Sequence, residues 1–341
     1  MSRSGIAEAA PSTYTPDWNS VDQHPPAPEW FQDAKFGIYF HWGAFSVPTK
    51  EVIDRAQPDI LWQDFNLDAV DETQRLNFLA YFYNQAGTWG REVVATYKDG
   101  MNGKGEVFDY ERGGPAGLTT PYWLTDDSIS SSSWCYTQGI GYYTIEQMLH
   151  SFIDRVSKNG NVLLNIAPMA DGTIPQAQKD ILLGIGDHLK RFGESVYATR
   201  AWTAYGEGPT KMGGGSFTTP HAGTAQDIRF TRNKANDALY ATVLGWPGSS
   251  LTIKTLSSDR INLSSLTSVK LLGNTVGTYI DLPTPTLNSS GLTVTLPSSA
   301  PYSAGAYVLK LAFSGAIPGL RPLADAGAFT DVDCIGDSPV G

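Results

Sequence analysis

The stretch TIEQMLHSFIDRVSKNGNVLLNIA, from Thr144 to Ala167, changes periodicity once along its length. Ile145, Met148, Leu149, Phe152, Ile153 and Val156 recur three and four residues apart, so Thr144 to Lys158 predicts a helix with one apolar stripe. Asn159-Gly160 is the stop, because both residue types accept left-handed backbone. Asn161 to Ala167 is then almost continuously apolar, the pattern of a strand covered on both faces. A helix feeding straight into a buried strand is half of a βαβ unit.

The same reading extends outward. Lys35-Phe-Gly-Ile-Tyr-Phe-His41 and Asp59-Ile-Leu-Trp62 are short runs expected to be strands buried on both faces. After Asp68, expected as an N-cap, Leu76, Leu79, Phe82 and Tyr83 follow helical spacing up to Gly87, and Glu92 to Thr96 returns to strand. Pro175, at a first helical position, opens a helix to about Phe192. Strand and helix alternate, which indicates an α/β domain over residues 29–199. Beyond Arg200, six short alternating segments, from Asp227-Ile-Arg-Phe-Thr to Ala306-Tyr-Val-Leu-Lys-Leu, are separated by turn residues and no helix. They predict an all-β sandwich over residues 200–313, within which Gly213-Gly-Gly215 reads as a flexible turn. The proline-rich residues 1–28 are expected to form an arm laid over a domain, and residues 314–341 a flexible tail.

Composition narrows the function. Among 341 residues, 34 acidic against 24 basic side chains give a net charge of −10, which argues against nucleic acid or an anionic membrane as partner. No segment is long and apolar enough to span a bilayer. Two cysteines, Cys135 and Cys334, exclude a disulfide scaffold and a Cys-type zinc site, and Cys135 is expected to be a buried thiol. The five histidines lack metal-ligand spacing, so neither a metal nor another cofactor is expected. Charged residues at 17% and aromatics at 11% favour a sugar-binding surface. Met1 to Ser20 is polar, and no signal peptide is visible in it. Asn262-Leu-Ser264 and Asn288-Ser-Ser290 would be glycosylation sites in a secreted protein.

Active residues of a parallel sheet or barrel collect at the carboxyl ends of its strands. His41, Asp64 and Glu111 lie just past the candidate strands. Taken alone, either carboxylate fits a solvated or salt-bridged role at least as well as a catalytic one.

WFQDAKFGIYFHWGAFSVP, Trp30 to Pro48, closely resembles the opening signature of the α-L-fucosidases of glycoside hydrolase family 29. Gln57-Pro-Asp-Ile-Leu-Trp-Gln-Asp64 is similar to the family's nucleophile strand, Ser133-Trp-Cys-Tyr136 to its Trp-Gly-Tyr element, and Val156 to Pro168 with Ala170-Asp-Gly-Thr-Ile174 to a late-barrel signature. The resemblance implies a TIM-like (β/α) barrel followed by a β-sandwich. It further implies extracellular, retaining hydrolysis of terminal α-L-fucose from a fucosylated oligosaccharide or glycoconjugate, without a cofactor. Asp64 then matches the nucleophile. Glu111 is preferred as acid/base over Asp126 and Asp127, with Leu124 standing where many relatives carry Glu or Gln. His41 would hydrogen-bond a ring hydroxyl, Trp134 would stack on the sugar, and Trp42 and Trp62 would wall the pocket.

The chain also departs from that pattern. The family's His-His-Asp-Gly segment is absent, and only ten residues separate Pro48 from Asp59, room for at most one minimal crossover. Trp30 to Gly193 falls well short of the ~250 residues of a typical eight-stranded barrel, a deficit of two or three β/α units. A barrel lacking interior strands exposes edges that favour partner pairing, including with a second copy. The shortened barrel is compatible with three readings: a fucosidase that has lost one internal block, a minimal barrel completed by another subunit, or a non-catalytic glycan-binding remnant. A glycosidase for another sugar would keep both carboxylates.

Overall fold

A computed structural model of the chain describes residues 13–39 and 49–321; His41, Trp42 and Cys334 lie outside the described residues. The first half contains helices α1 (Trp18–Val21), α2 (Glu29–Ala34), α3 (Thr49–Ala56), α4 (Glu72–Trp89), α5 (Ile145–Ser157) and α6 (Gln176–Phe192). Interleaved with them are strands β1 (Phe36–Tyr39), β2 (Ile60–Leu61), β3 (Val94–Tyr97), β4 (Val107–Asp109), β5 (Trp123–Ser128) and β6 (Gly160–Asn165). All six strands are parallel, in the order β1-β6-β5-β4-β3-β2. β1 runs beside β6, Phe36 opposite Val162 and Tyr39 opposite Asn165, which is the first-to-last contact that closes a barrel. Among the described residues the curled sheet is therefore an incomplete TIM-like barrel, open between β1 and β2.

That opening corrects the expectation for the two outer strands. Both were expected to be buried on both faces, yet Ile38 of β1 is 52% exposed and Ile60 of β2 is 38% exposed. Each stands at an end of the open sheet, with a strand neighbour on one side only among the described residues. β2 is also only two residues long.

The helices follow their sequence signals more closely. Thr144 caps α5 in a reciprocal capping box with Gln147, and the stripe from Met148 to Val156 packs against Val162, Leu164, Ile181, Ile185 and Leu189. For α4 the N-cap is Asp71, whose side chain accepts from the Thr73 N–H, rather than Asp68. The Asp68 N–H is instead held, with those of Asn66 and Leu67, by the Asp99 carboxylate. The helix also runs past Gly87 to Trp89, because the left-handed residue that ends it is Gly90. The N-terminal arm does more than lie over a domain: Tyr14 and Val21 are buried in the cluster built on α4.

From β7 (Thr199–Glu207) onward every sheet is antiparallel, through β8 (Ile228–Asn233), β9 (Ala238–Val243), β10 (Ser250–Ile253), β11 (Leu266–Leu272), β12 (Tyr279–Asp281), β13 (Thr286–Asn288), β14 (Gly291–Thr295) and β15 (Tyr307–Phe313). A six-stranded sheet, β12-β11-β15-β9-β8-β7, and a three-stranded one, β10-β14-β13, share one apolar core. Phe230, Leu239, Val269 and Leu309 come from the larger sheet, Leu251, Ile253, Leu292 and Val294 from the smaller. Buried charges tie this region to α5: Asp154 pairs with Lys158 at 2.7 Å and with Arg229 of β8 at 2.5 Å.

Candidate active site

Five segments deliver side chains to the carboxyl end of the parallel sheet. Tyr39 ends β1, Lys98 follows β3 directly, Asp109 ends β4 with Glu111 two residues on, Asp126 lies in β5, and Asp64 is three residues past β2. At their centre the Lys98 ammonium, 1% exposed, stands 2.6 Å from Glu111 Oε2, 3.1 Å from Asp126 Oδ1 and 3.2 Å from Asp64 Oδ1. The Glu111 side chain is 8% exposed and that of Asp64 60% exposed, so one carboxyl is enclosed and the other is open to solvent. Since both contact the same nitrogen, their oxygens lie no further apart than those two short spans laid end to end.

A second layer holds the cluster in place. Tyr39 donates its hydroxyl to Asp126 Oδ2 at 3.1 Å, the Asp126 N–H donates to Asp109 Oδ1 at 2.8 Å, and Trp62 Nε1 donates to Asp109 Oδ2 at 2.7 Å. Burial, reinforced by the Asp126 charge, pushes the Asp109 carboxyl well above the ordinary range and towards its neutral form. Burial also raises the Glu111 carboxyl, although the neighbouring ammonium opposes that. For Lys98 burial acts downward, but the surrounding carboxylates outweigh it and its pKa is raised, so it stays charged. The Lys98 ammonium fills the position a bound cation would take among these carboxylates.

Aromatic rings wall the cluster. Lys98 Nζ lies 4.9 Å from the Trp62 ring centre, and Tyr39 sits between Trp62 at 6.2 Å and Trp134 at 6.4 Å. The Arg112 guanidinium lies 4.1 Å over the Trp134 ring, and the Trp134 carbonyl accepts from Asn165 Nδ2 at 2.7 Å. Asp64, Glu111, Asp126, Trp62 and Trp134 are thus brought together. Asp127 is not: side chains alternate along a strand, so it points to the other face of β5 and pairs with Arg155 of α5 at 2.5 Å. Cys135, expected to be buried, is exposed, in the irregular stretch after β5.

The expected flexible turn at Gly213 to Gly215 is likewise corrected. It is pinned against the segment carrying Glu111, through hydrogen bonds from Gly114 N to Gly215 O and from Gly214 N to Gly114 O, at 3.0 and 2.8 Å. A Cβ on Gly113 would collide with the Gly215 carbonyl, so this crossing requires glycine there. Sequence reading missed Lys98, Asp109 and Tyr39. The signal was available for Lys98 and Tyr39, since Tyr39 lies within a run already read as strand and Lys98 two residues past another.

Comparison with known proteins agrees with this architecture. A family model described as "Alpha-L-fucosidase" matches residues 3–51 and 48–194, and one described as "Alpha-L-fucosidase C-terminal domain" matches residues 222–312. The first match is in two pieces that meet where the sheet is open. The plasma alpha-L-fucosidase of Homo sapiens is 28% identical over 306 residues, covering 77% of this chain and 61% of that protein. An alpha-L-fucosidase of Branchiostoma floridae is 26% identical, covering 85% and 68%. Among solved structures, the Thermotoga maritima alpha-fucosidase in complex with fucose is 26% identical with a TM-score of 0.57, covering 77% of this chain and 54% of that one. The chain spans about six-tenths of the length of the plasma enzyme.

Proposed function

The chain belongs to the alpha-L-fucosidase family, and we propose that it is a retaining glycoside hydrolase that releases terminal α-L-fucose from fucosylated glycans. The observation that carries this reading is the pairing of Asp64 and Glu111 on one Lys98 ammonium at the carboxyl end of a parallel sheet. Retaining glycosidases hold their two carboxyls ~5–5.5 Å apart, and contact of both carboxylates with one ammonium is compatible with so short a separation.

In the first step Asp64 attacks the anomeric carbon, forming a C–O bond to the enzyme as the glycosidic C–O bond breaks. Glu111 gives its proton to the departing oxygen. In the second step Glu111 takes a proton from water, whose oxygen displaces Asp64 from the sugar with a second inversion. The two environments suit the two roles, because the exposed Asp64 is reachable by substrate, while burial favours a protonated Glu111. Lys98 orients both carboxyls. Trp62 and Trp134 wall the sugar pocket, and the family resemblance adds Trp42 to that wall and His41 as a hydroxyl contact. The paired antiparallel sheets are read as the accompanying sandwich, and relatives named plasma fucosidases support action outside the cell.

The open sheet favours one competing reading, a lectin-like remnant that binds fucosides without cleaving them. Purified protein with an aryl α-L-fucoside is expected to release fucose, and Asp64→Ala to reduce turnover by roughly three orders of magnitude or more. Full activity in that variant would remove Asp64 from the mechanism. Calorimetric binding of the fucoside without any turnover would favour the remnant.

A further inference from the structure

Two exposed rings stand beside the carboxylates, and the chemistry above leaves them unused. Phe65 follows Asp64 and is 43% exposed, and Phe217 is 63% exposed. Their rings stack almost parallel, 6.4 Å apart with 16° between planes. They come from different halves of the molecule, Phe65 from the loop after β2 and Phe217 from the connection between β7 and β8.

Phe217 is held there against its own preference. Its φ of 58° lies in the left-handed region that a bulky side chain avoids, at a cost the surrounding structure must offset. The restraint comes from the acid/base segment itself: Phe217 N donates to the Glu111 carbonyl at 2.9 Å, and Thr218 N to the Arg112 carbonyl at 2.8 Å. The second ring is anchored on the nucleophile side, where the Lys98 ammonium lies 4.9 Å from the Phe65 ring centre. Trp62, Tyr39 and Trp134 are partly buried, whereas Phe65 and Phe217 are exposed, and Phe217 is tied through its backbone to the residue that would protonate the leaving oxygen.

We propose that Phe65 and Phe217 form a platform for the leaving group of the bound glycoside, selecting aglycones that present a flat apolar face. The assignment rests on Asp64 and Glu111 being the cleaving pair, since that pair defines which side the leaving group occupies. A flat apolar face belongs equally to an aryl ring and to the C–H face of a neighbouring pyranose, and both stack on aromatic rings.

The test compares binding of methyl α-L-fucoside, phenyl α-L-fucoside and a fucosyl-glucose disaccharide by calorimetry. Wild-type protein is expected to bind the phenyl glycoside roughly tenfold more tightly than the methyl glycoside, the scale of one ring-stacking contact. Phe217→Ala and Phe65→Ala should each collapse that ratio. Phe217→Leu, which keeps apolar bulk at the same strained backbone without a flat face, should lower it as well. A disaccharide that follows the phenyl glycoside assigns the platform to a neighbouring sugar; one that follows the methyl glycoside assigns it to aryl groups. Equal affinities in wild type, absence of binding by all three, or a ratio that survives in Phe217→Ala would overturn the platform. Fucose release is scored separately, so binding with the expected ratio but without turnover would strike the hydrolytic reading alone.

Discussion

The two halves of the molecule bury different things. Across β3, β4 and β5 the parallel sheet encloses Lys98, Asp109, Glu111, Asp126 and, on the opposite face, the Asp127–Arg155 pair. The core between the two antiparallel sheets is almost entirely aliphatic and aromatic. The core between the antiparallel sheets stabilises through apolar area removed from water, which is insensitive to pH and tolerant of detail, whereas Asp227 and Arg229 of this half are buried charges outside that core. In the parallel half the Lys98 cluster and the Asp127–Arg155 pair depend on each buried charge keeping its partner, and the Lys98 cluster carries the proposed chemistry.

Removing the shared cation should separate the two halves most sharply. Lys98→Met leaves Glu111 and Asp126 buried without their counter-charge, and loss of one partner of a buried ion pair costs about 3–5 kcal/mol. Denaturant unfolding at neutral pH measures this, and the deficit should shrink towards pH 4 as Glu111, whose carboxyl is raised by burial, takes up a proton. A variant as stable as wild type at pH 7 would mean that water replaces the ammonium and that the cluster is less enclosed than its burial indicates.

The antiparallel half answers with a loss of different character. Leu309 is 1% exposed on β15, opposite Leu271 of β11 and Ala241 of β9. Leu309→Ala should cost about 3 kcal/mol through lost transfer energy and the cavity left behind. Unlike the Lys98 deficit, this one should not change with pH. The proposed fucoside hydrolysis, measured per folded molecule, should remain at the wild-type level, and a selective fall would couple the antiparallel core to the site.

This contrast also explains what could be read from the sequence. The stripe of α5, the β6 run and most of the antiparallel strands were legible because an apolar periodicity reports an apolar environment. β4, Val107–Asp109, and β5, Trp123–Ser128, were not recognised as strands. β5 is buried along its whole length, yet four of its six residues are Thr125, Asp126, Asp127 and Ser128. Their burial is offset by Lys98, Arg155 and backbone partners distant in sequence, and no local pattern records those. Asp64 was read from its resemblance to the family's nucleophile strand and Glu111 from its place past a predicted strand, while Lys98, which contacts both, required the fold. The two-piece family match and the open sheet locate the sequence's shortage of residues in one place, between β1 and β2.

The smallest expected effect is a pH dependence confined to the parallel half. Burial, with the Asp22 charge adding to it, pushes the Glu106 carboxyl from 4.5 up to about 7. A folded-state pKa above the unfolded value means that the native protein binds this proton more tightly. Glu106 therefore contributes stability below about pH 4.5 that is lost as the pH rises through about 7. Glu106→Gln keeps the shape and cannot ionise, so it should flatten this part of the stability profile and leave the variant about 2 kcal/mol more stable than wild type at pH 8, allowing for solvent that still reaches the group. Chemical denaturation at pH 4.5, 6 and 8 measures it. A Glu106→Gln profile that falls as steeply as that of wild type would move the pH sensitivity to Asp109 or Glu111, whose carboxyls are displaced in the same direction, and would make the catalytic cluster itself the pH-sensitive element.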